Sequence, residues 1–240
     1  MLHNTVIQRW GADIVSGALP MGHRIGTDDA AALFGVSRTV VREAVRVLES
    51  MGLLTVRQRI GITVAPADSW NPLDPNISRW RLAGPDAAQH LRDLAELRTV
   101  NEPFSARRAA SCATPEQINT LNISVVGMAE TARSGDVTGY VLHDANFHRV
   151  LLTASDNPLL VGLADLVGDA LVSPAARRLN TQCTPSGMIA LHGNVVAAIG
   201  AGDPPAAERA ARAIFTGHTL LPNSGHPHHE STLPTLLMIV

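Results

Sequence analysis

The sequence predicts a mainly α fold in two parts: a small helical module closed by a β-hairpin, then a larger all-α antiparallel helical bundle. Three observations predict it. Only 3% of the 240 residues are aromatic although 45% are apolar, so the core is aliphatic and Ala-rich, which favours packed helices over a sandwich. Beyond Pro85 no convincing alternating pattern of strand type occurs, whereas helical stretches recur between Pro and Gly breaks. A hairpin pattern with a turn glycine does occur between Leu53 and Val64. A chain of this length holds one large or two modest domains, each able to bury a core.

Charge and cysteine usage narrow the classes. The formal net charge of -2 excludes a strongly basic protein, yet residues 1–66 carry seven arginines against five acids, while the remainder carries twelve against sixteen. A slightly basic end on an acidic body fits a nucleic-acid module joined to something else. Cys112 and Cys183 are isolated and lack metal-motif spacing, which points to a reducing interior. No apolar run approaches the roughly 20 residues that a spanning helix needs, and no signal-peptide pattern opens the chain. The expectation is a soluble cytoplasmic protein without membrane contact.

Residues 4–17 read as an amphipathic helix, with Val6, Ile7, Trp10, Ile14 and Val15 at helical spacing. Leu19-Pro20-Met21-Gly22 forms a turn. Thr27 is placed to cap a second helix, with Asp28 and Asp29 in its first turn and Ala31, Ala32, Leu33 and Phe34 on its buried side. After the Gly35-Val36 turn, Ser37 caps a third helix running to about Ser50. Its inner face is Val40, Val41, Ala44, Val45 and Leu48, while Arg38, Arg42 and Arg46 recur every four residues on another face. A capped helix with an arginine stripe, following a short helix and a glycine turn, has the construction of a recognition helix. Guanidinium groups pair bidentately with guanine, at about 1–3 kcal/mol of discrimination per good pair, or clamp phosphates. An arginine stripe is also what an ordinary solvated helix face looks like. The hairpin that follows has a basic tip, Arg57-Gln58-Arg59, and a Gly61 turn. Together these make a winged helix-turn-helix.

The stretch Gly35-Val36-Ser37-Arg38-Thr39, then Val41-Arg42-Glu43-Ala44, Leu48-Glu49, Gly52-Leu53, Gly61 and Val64 resembles the GntR family of bacterial transcriptional regulators. The resemblance implies operator DNA contact through Arg38, Arg42 and Arg57, with Arg46, Arg59 and Thr39 as further contacts. Asp29 and Ile60 depart from the family, which commonly places basic groups there.

Residues 67–85 carry Trp70, Trp80 and several prolines, and read as a linker that docks onto a domain. The Trp70-Asn71-x-Leu73-Asp74-Pro75 run resembles the linker of the family branch that responds to sugar acids. Residues 86–221 form the bundle, with helices expected at about 86–111, 115–134, 136–155, 157–180, 184–201 and 203–220. Pro115, Pro158, Pro185 and Pro204 sit near helix starts, where the missing N–H costs little. Residues 222–240 read as a frayed, His-rich tail.

Three features of the bundle can carry chemistry. Asp144 and His148, at i, i+4, share a helical face where they can hold one metal or simply pair at a surface. His192 heads a helix. Arg98 stands four residues before Glu102, the spacing of a helical salt bridge. The patterns Leu97-Arg98-x-x-x-Glu102-Pro103 with Ala106-Arg107, Asp144-x-x-Phe147-His148, Asn157-Pro158, His192, Ala198-Ile199 and Gly202-Asp203 resemble the FCD effector domain of FadR-type GntR regulators. That resemblance implies Asp144, His148 and His192 as ligands of a divalent cation (Zn, Ni or Mn) and Arg98 facing a small carboxylate effector. The family's last histidine falls at Ile214, leaving His218, one turn on, as a substitute ligand. The implied protein is a homodimeric repressor released from double-stranded operator DNA by its effector. Two alternatives stand beside it: a metal-ion sensor without organic effector, and a metal-dependent enzyme fused to a DNA-binding module.

Overall fold

The computed structural model describes residues 2–58, 61–179 and 185–216. The chain divides into two compact units, Met1–Ala87 and Ala88–Val240.

The first unit opens with α1 (Leu2–Val15), which buries Val6, Ile7, Trp10 and Ile14. A two-residue strand, β1 (Arg24–Ile25), leads into α2 (Thr27–Phe34) and α3 (Arg38–Ser50). The N-cap of α2 is Gly26 and not Thr27, and no side chain closes it. Asp29 in the first turn lies against Gly26 instead, so close that a Cβ at that position would meet its carboxylate. Leu33, expected inside, is 76% exposed, and Ala32 is exposed too; the inner face is Ala30, fully buried, with Ala31 and Phe34 partly buried against the core. Gly35 ends α2 in the left-handed region, at φ 61, where glycine carries no Cβ penalty. Ser37 then caps α3, its Oγ accepting from Val40 N–H at 3.3 Å.

The hairpin forms as expected. Strands β2 (Leu54–Arg57) and β3 (Gly61–Val64) pair antiparallel with Leu54 opposite Val64 and Thr55 opposite Thr63, whose hydroxyls lie 2.8 Å apart. Just past the turn at residues 19–22 lies a third strand that the sequence pattern did not show: β1 pairs with β3, giving the order β1-β3-β2. Two residues are too short for a periodic signal.

The segment 67–85 is folded into the first unit. Asp74 caps α4 (Pro75–Ala83), accepting from Asn76 and Ile77 N–H. Trp80 is buried among Trp10, Ile14 and Val6, and its indole N–H donates to Gln8 at 3.1 Å. Gly11 makes this possible: a Cβ there would lie 2.1 Å from the Trp80 ring. The stretch expected as a linker is therefore a structural helix of the first unit.

The second unit contains α5 (Ala87–Cys112), α6 (Pro115–Ser134), α7 (Val137–Thr153), α8 (Pro158–Val161), α9 (Ala164–Val172), α10 (Pro174–Leu179), α11 (Pro185–Gly200) and α12 (Pro204–Thr216). A full capping box between Thr114 and Gln117 starts α6. The single helix expected over 157–180 is broken into three. Ser173 adopts an extended conformation before Pro174, as a pre-proline residue must, and its hydroxyl then accepts from Ala176 N–H. The core packs Leu121, Met128, Phe147, Leu151, Val195, Ile199 and Ile214. No helix of the described residues is long and apolar enough to cross a membrane.

Candidate metal centre and nucleic-acid interface

Asp144 and His148 on α7 and His192 on α11 converge inside the second unit. Asp144 Oδ1 lies 3.2 Å from His192 Nε2 and 3.6 Å from His148 Nε2, and the two Nε2 atoms are 3.4 Å apart. Donors about 2.0–2.1 Å from a tetrahedral ion stand about 3.3–3.4 Å from one another. The triangle has the edge lengths of one face of such a polyhedron. Both histidines are about 1% exposed, and Asp144 is partly buried at the rim.

The outer nitrogens decide how the rings are presented. His192 Nδ1 lies 2.7 Å from the Met188 carbonyl, which can only accept, so Nδ1 carries the hydrogen. His148 Nδ1 lies 2.5 Å from Glu102 Oε2. Glu102 in turn accepts from Arg98 Nε at 2.6 Å through its other oxygen. Carboxylate or carbonyl on Nδ1 leaves Nε2 of each neutral ring as a lone-pair donor aimed at the same point, the arrangement that metal-binding histidines adopt. The edge of Phe147 packs against both rings. The donor set therefore fits a divalent cation.

Electrostatics follow from this packing. Burial pushes the Glu102 carboxyl up, but the charges of Arg98 and then His148 outweigh it and hold it below the ordinary carboxylate range. Burial opposes ionisation of Asp144 too; the adjacent rings of His148 and His192, when they carry a proton on Nε2, overcome it by hydrogen bonding, and the carboxyl is held well down. At His148 burial favours the neutral ring, yet the Glu102 charge prevails and its pKa is raised.

Of the residues singled out in the sequence, three come together: Asp144, His148 and His192. Arg98 stands behind them with Glu102 in between; it is 3% exposed, holds Glu102, and its guanidinium lies 5.5 Å from the centre of the Phe215 ring. Ile214 is buried in the bundle core, and His218 lies outside the described residues. Sequence reasoning missed the role of Glu102 toward His148. The i, i+4 spacing showed only its pairing with Arg98, since His148 is 46 positions away.

On the first unit, α3 buries Val41, Ala44, Val45 and Leu48 and leaves Arg38, Thr39, Arg42 and Arg46 exposed. Arg38 is paired with Asp28 of α2 through Nε–Oδ1 at 2.6 Å and Nη2–Oδ2 at 3.0 Å. Arg46 contacts Glu43 on its own helix. Arg57 is exposed at the end of β2, and Arg59 and Ile60 lie outside the described residues. Glu49 accepts from Val56 N–H at 3.1 Å, tying the end of α3 to the hairpin.

The fold and these two faces define a winged helix joined to an all-α bundle with a metal-competent cage. Residues 2–64 match the model of the bacterial regulatory proteins of the gntR family, and residues 93–217 match that of the FCD domain. The chain belongs to the gntR family of bacterial regulators, in its FCD-containing form. Curated relatives include an uncharacterised HTH-type transcriptional regulator, YieP, of Escherichia coli (34% identical over 55% of this chain and 58% of YieP). The galactonate operon transcriptional repressor of the same organism is 28% identical over 64% of this chain and 67% of its own length. A probable D-xylose utilization operon transcriptional repressor of Paenarthrobacter nicotinovorans is 28% identical over 82% and 78%. Among solved structures, a GntR protein of Streptococcus agalactiae superposes with a TM-score of 0.50 at 24% identity, over 90% of this chain and 98% of its own. The Listeria monocytogenes regulator Lar superposes with a TM-score of 0.60 at 16% identity, over 90% and 94%. Family and relatives are transcriptional regulators and not enzymes, which removes the metal-dependent enzyme from consideration.

Proposed function

We propose that the chain is a repressor that leaves its operator when a small carboxylate, a sugar acid by preference, binds in the second unit. The observation that carries this reading is the convergence of one carboxylate and two imidazoles, Asp144, His148 and His192, in the FCD unit. Zn, Ni or Mn suits an imidazole and carboxylate set. Asp144, His148 and His192 would hold the ion, which when bound supplies a Lewis-acid site for an effector carboxylate. Ile214, where the family's last histidine falls by resemblance, is an alkyl residue buried in the bundle core, which favours completion of the shell from outside the chain.

On the first unit, Arg38, Thr39, Arg42 and Arg46 of α3 would face the major groove, with Arg57 and Arg59 of the wing on the backbone. Two copies would bind half-sites about one DNA turn apart or a multiple of it. Support for pairing comes from exposed apolar residues on the bundle surface, Val100 and Phe104 on α5 and Ile123 and Val126 on α6. The relative named for the galactonate operon supports a sugar acid as effector. An effector acts only through unequal affinity for the bound and released arrangements.

One observation favours a second reading, a metal-ion sensor without organic effector: Arg98, assigned to the effector, is engaged with Glu102. Titrating metal-loaded protein on DNA from upstream of its own gene with galactonate, other sugar acids and hydroxy acids separates the two. Release and a thermal upshift with an acid support the repressor described; release by metal alone, unaltered by any acid, supports the sensor. No response to either sinks both.

A further inference from the structure

We infer that Glu102 is the positioning residue of the metal centre and that Arg98 acts through it, so that the row Arg98–Glu102–His148 sets cation affinity. This rests on the metal reading above. The geometry is a continuous buried chain. Arg98 Nε meets Glu102 Oε1 at 2.6 Å, and Glu102 Oε2 meets His148 Nδ1 at 2.5 Å. All three residues are 3% exposed or less. The two oxygens of one carboxylate thus face opposite ways, one to a fixed cation and one to the back of a ligand ring.

Each link has a separate consequence. The contact on Nδ1 fixes the tautomer of His148 and the rotation of its ring, and so delivers Nε2 to the point shared with Asp144 and His192. A full carboxylate behind the ring makes Nε2 more basic than a carbonyl does, so His148 is the stronger donor of the two imidazoles; among the described residues His192 is backed by the Met188 carbonyl. Arg98 keeps Glu102 ionised and locks its rotamer in a place where an unpaired carboxylate is costly. The same arginine therefore serves the cation, with two residues, Glu102 and His148, between them. Any loss of metal in an Arg98 variant arises along this row, apart from contact with an organic effector.

The test measures Co2+ binding by titration, together with the visible ligand-field spectrum, on full-length wild type, Glu102→Gln, Glu102→Asp, Arg98→Lys and His148→Ala. Glu102→Gln keeps the shape and removes the charge; Glu102→Asp keeps the charge and withdraws it from His148. We expect each Glu102 variant to bind Co2+ about 10–100-fold more weakly, the usual cost of losing such an outer contact, with a shifted band. Arg98→Lys should retain most of the affinity. Circular dichroism identifies the variants that fold, and Glu102→Asp decides if Glu102→Gln does not. Folded Glu102 variants with wild-type affinity and band position overturn the inference, even while His148→Ala abolishes binding. Wild type that takes up no Co2+ overturns the metal reading as well.

Discussion

Two arginine–carboxylate pairs in this chain have the same closest contact, 2.6 Å, and opposite surroundings. Arg38–Asp28 joins α2 to α3 with side chains 74% and 64% exposed; Arg98–Glu102 lies within α5 with side chains 4% and 1% exposed. Water screens the first pair and competes for it, so its net worth is about 0–1 kcal/mol and a phosphate can replace the carboxylate. The second pair has no competing solvent; removing either partner leaves the other buried without its opposite charge. The exposed pair is suited to exchange partners on DNA, and the buried one to hold a ligand ring still.

The sharpest break of this contrast is Arg98→Ala. It should destabilise the second unit by about 3–5 kcal/mol, because Glu102 stays buried without its permanently charged partner and keeps only the His148 contact, whereas Arg38→Ala should cost no more than about 1 kcal/mol; urea unfolding compares them directly. Equal losses would erase the distinction. Next, saturating metal at about 100 times its Kd should stabilise the folded chain by about 2.7 kcal/mol, seen as a raised Tm that His192→Ala abolishes. Cation affinity should also depend on pH with a definite sign. The ion needs His148 without its proton on Nε2, and the neighbouring Glu102 raises the pKa of that ring. Affinity should therefore fall as pH drops, beginning above the ordinary imidazole value of about 6.5, and calorimetry should register proton release on binding. On the exposed side, Arg42→Ala should weaken operator binding and lower the slope of log affinity against log salt by about one if it contacts a phosphate. The smallest effect is expected for Asp28→Asn: stability changes by under about 1 kcal/mol, while DNA affinity at low salt rises because Arg38 no longer has an anionic partner.

Much of the first unit was legible because its signals are local. Ser37 as a cap, the apolar stripe of α3 and the hairpin around Gly61 all depend on residues within a few positions of one another. The same reasoning missed β1, whose two residues pair with β3 some 40 positions away, and put Ala32 and Leu33 on the inner side of α2, where Ala30, Ala31 and Phe34 pack. It also read 67–85 as a linker. That segment became a structural helix through Gly11 on α1, whose missing Cβ admits the Trp80 ring, and no neighbour of Trp80 in the chain announces that gap.

The sequence by itself determined the helical class, most helix limits and the placing of Asp144 and His148 on one helical face, since spacing on a helix and chemical type are written along the chain; His192 joined them only through the family resemblance. Tertiary structure alone decided which arginine pair is exchangeable and which is fixed. Both pairs consist of one guanidinium and one carboxylate. What separates them is the solvent around them, and burial is a property of the packed fold.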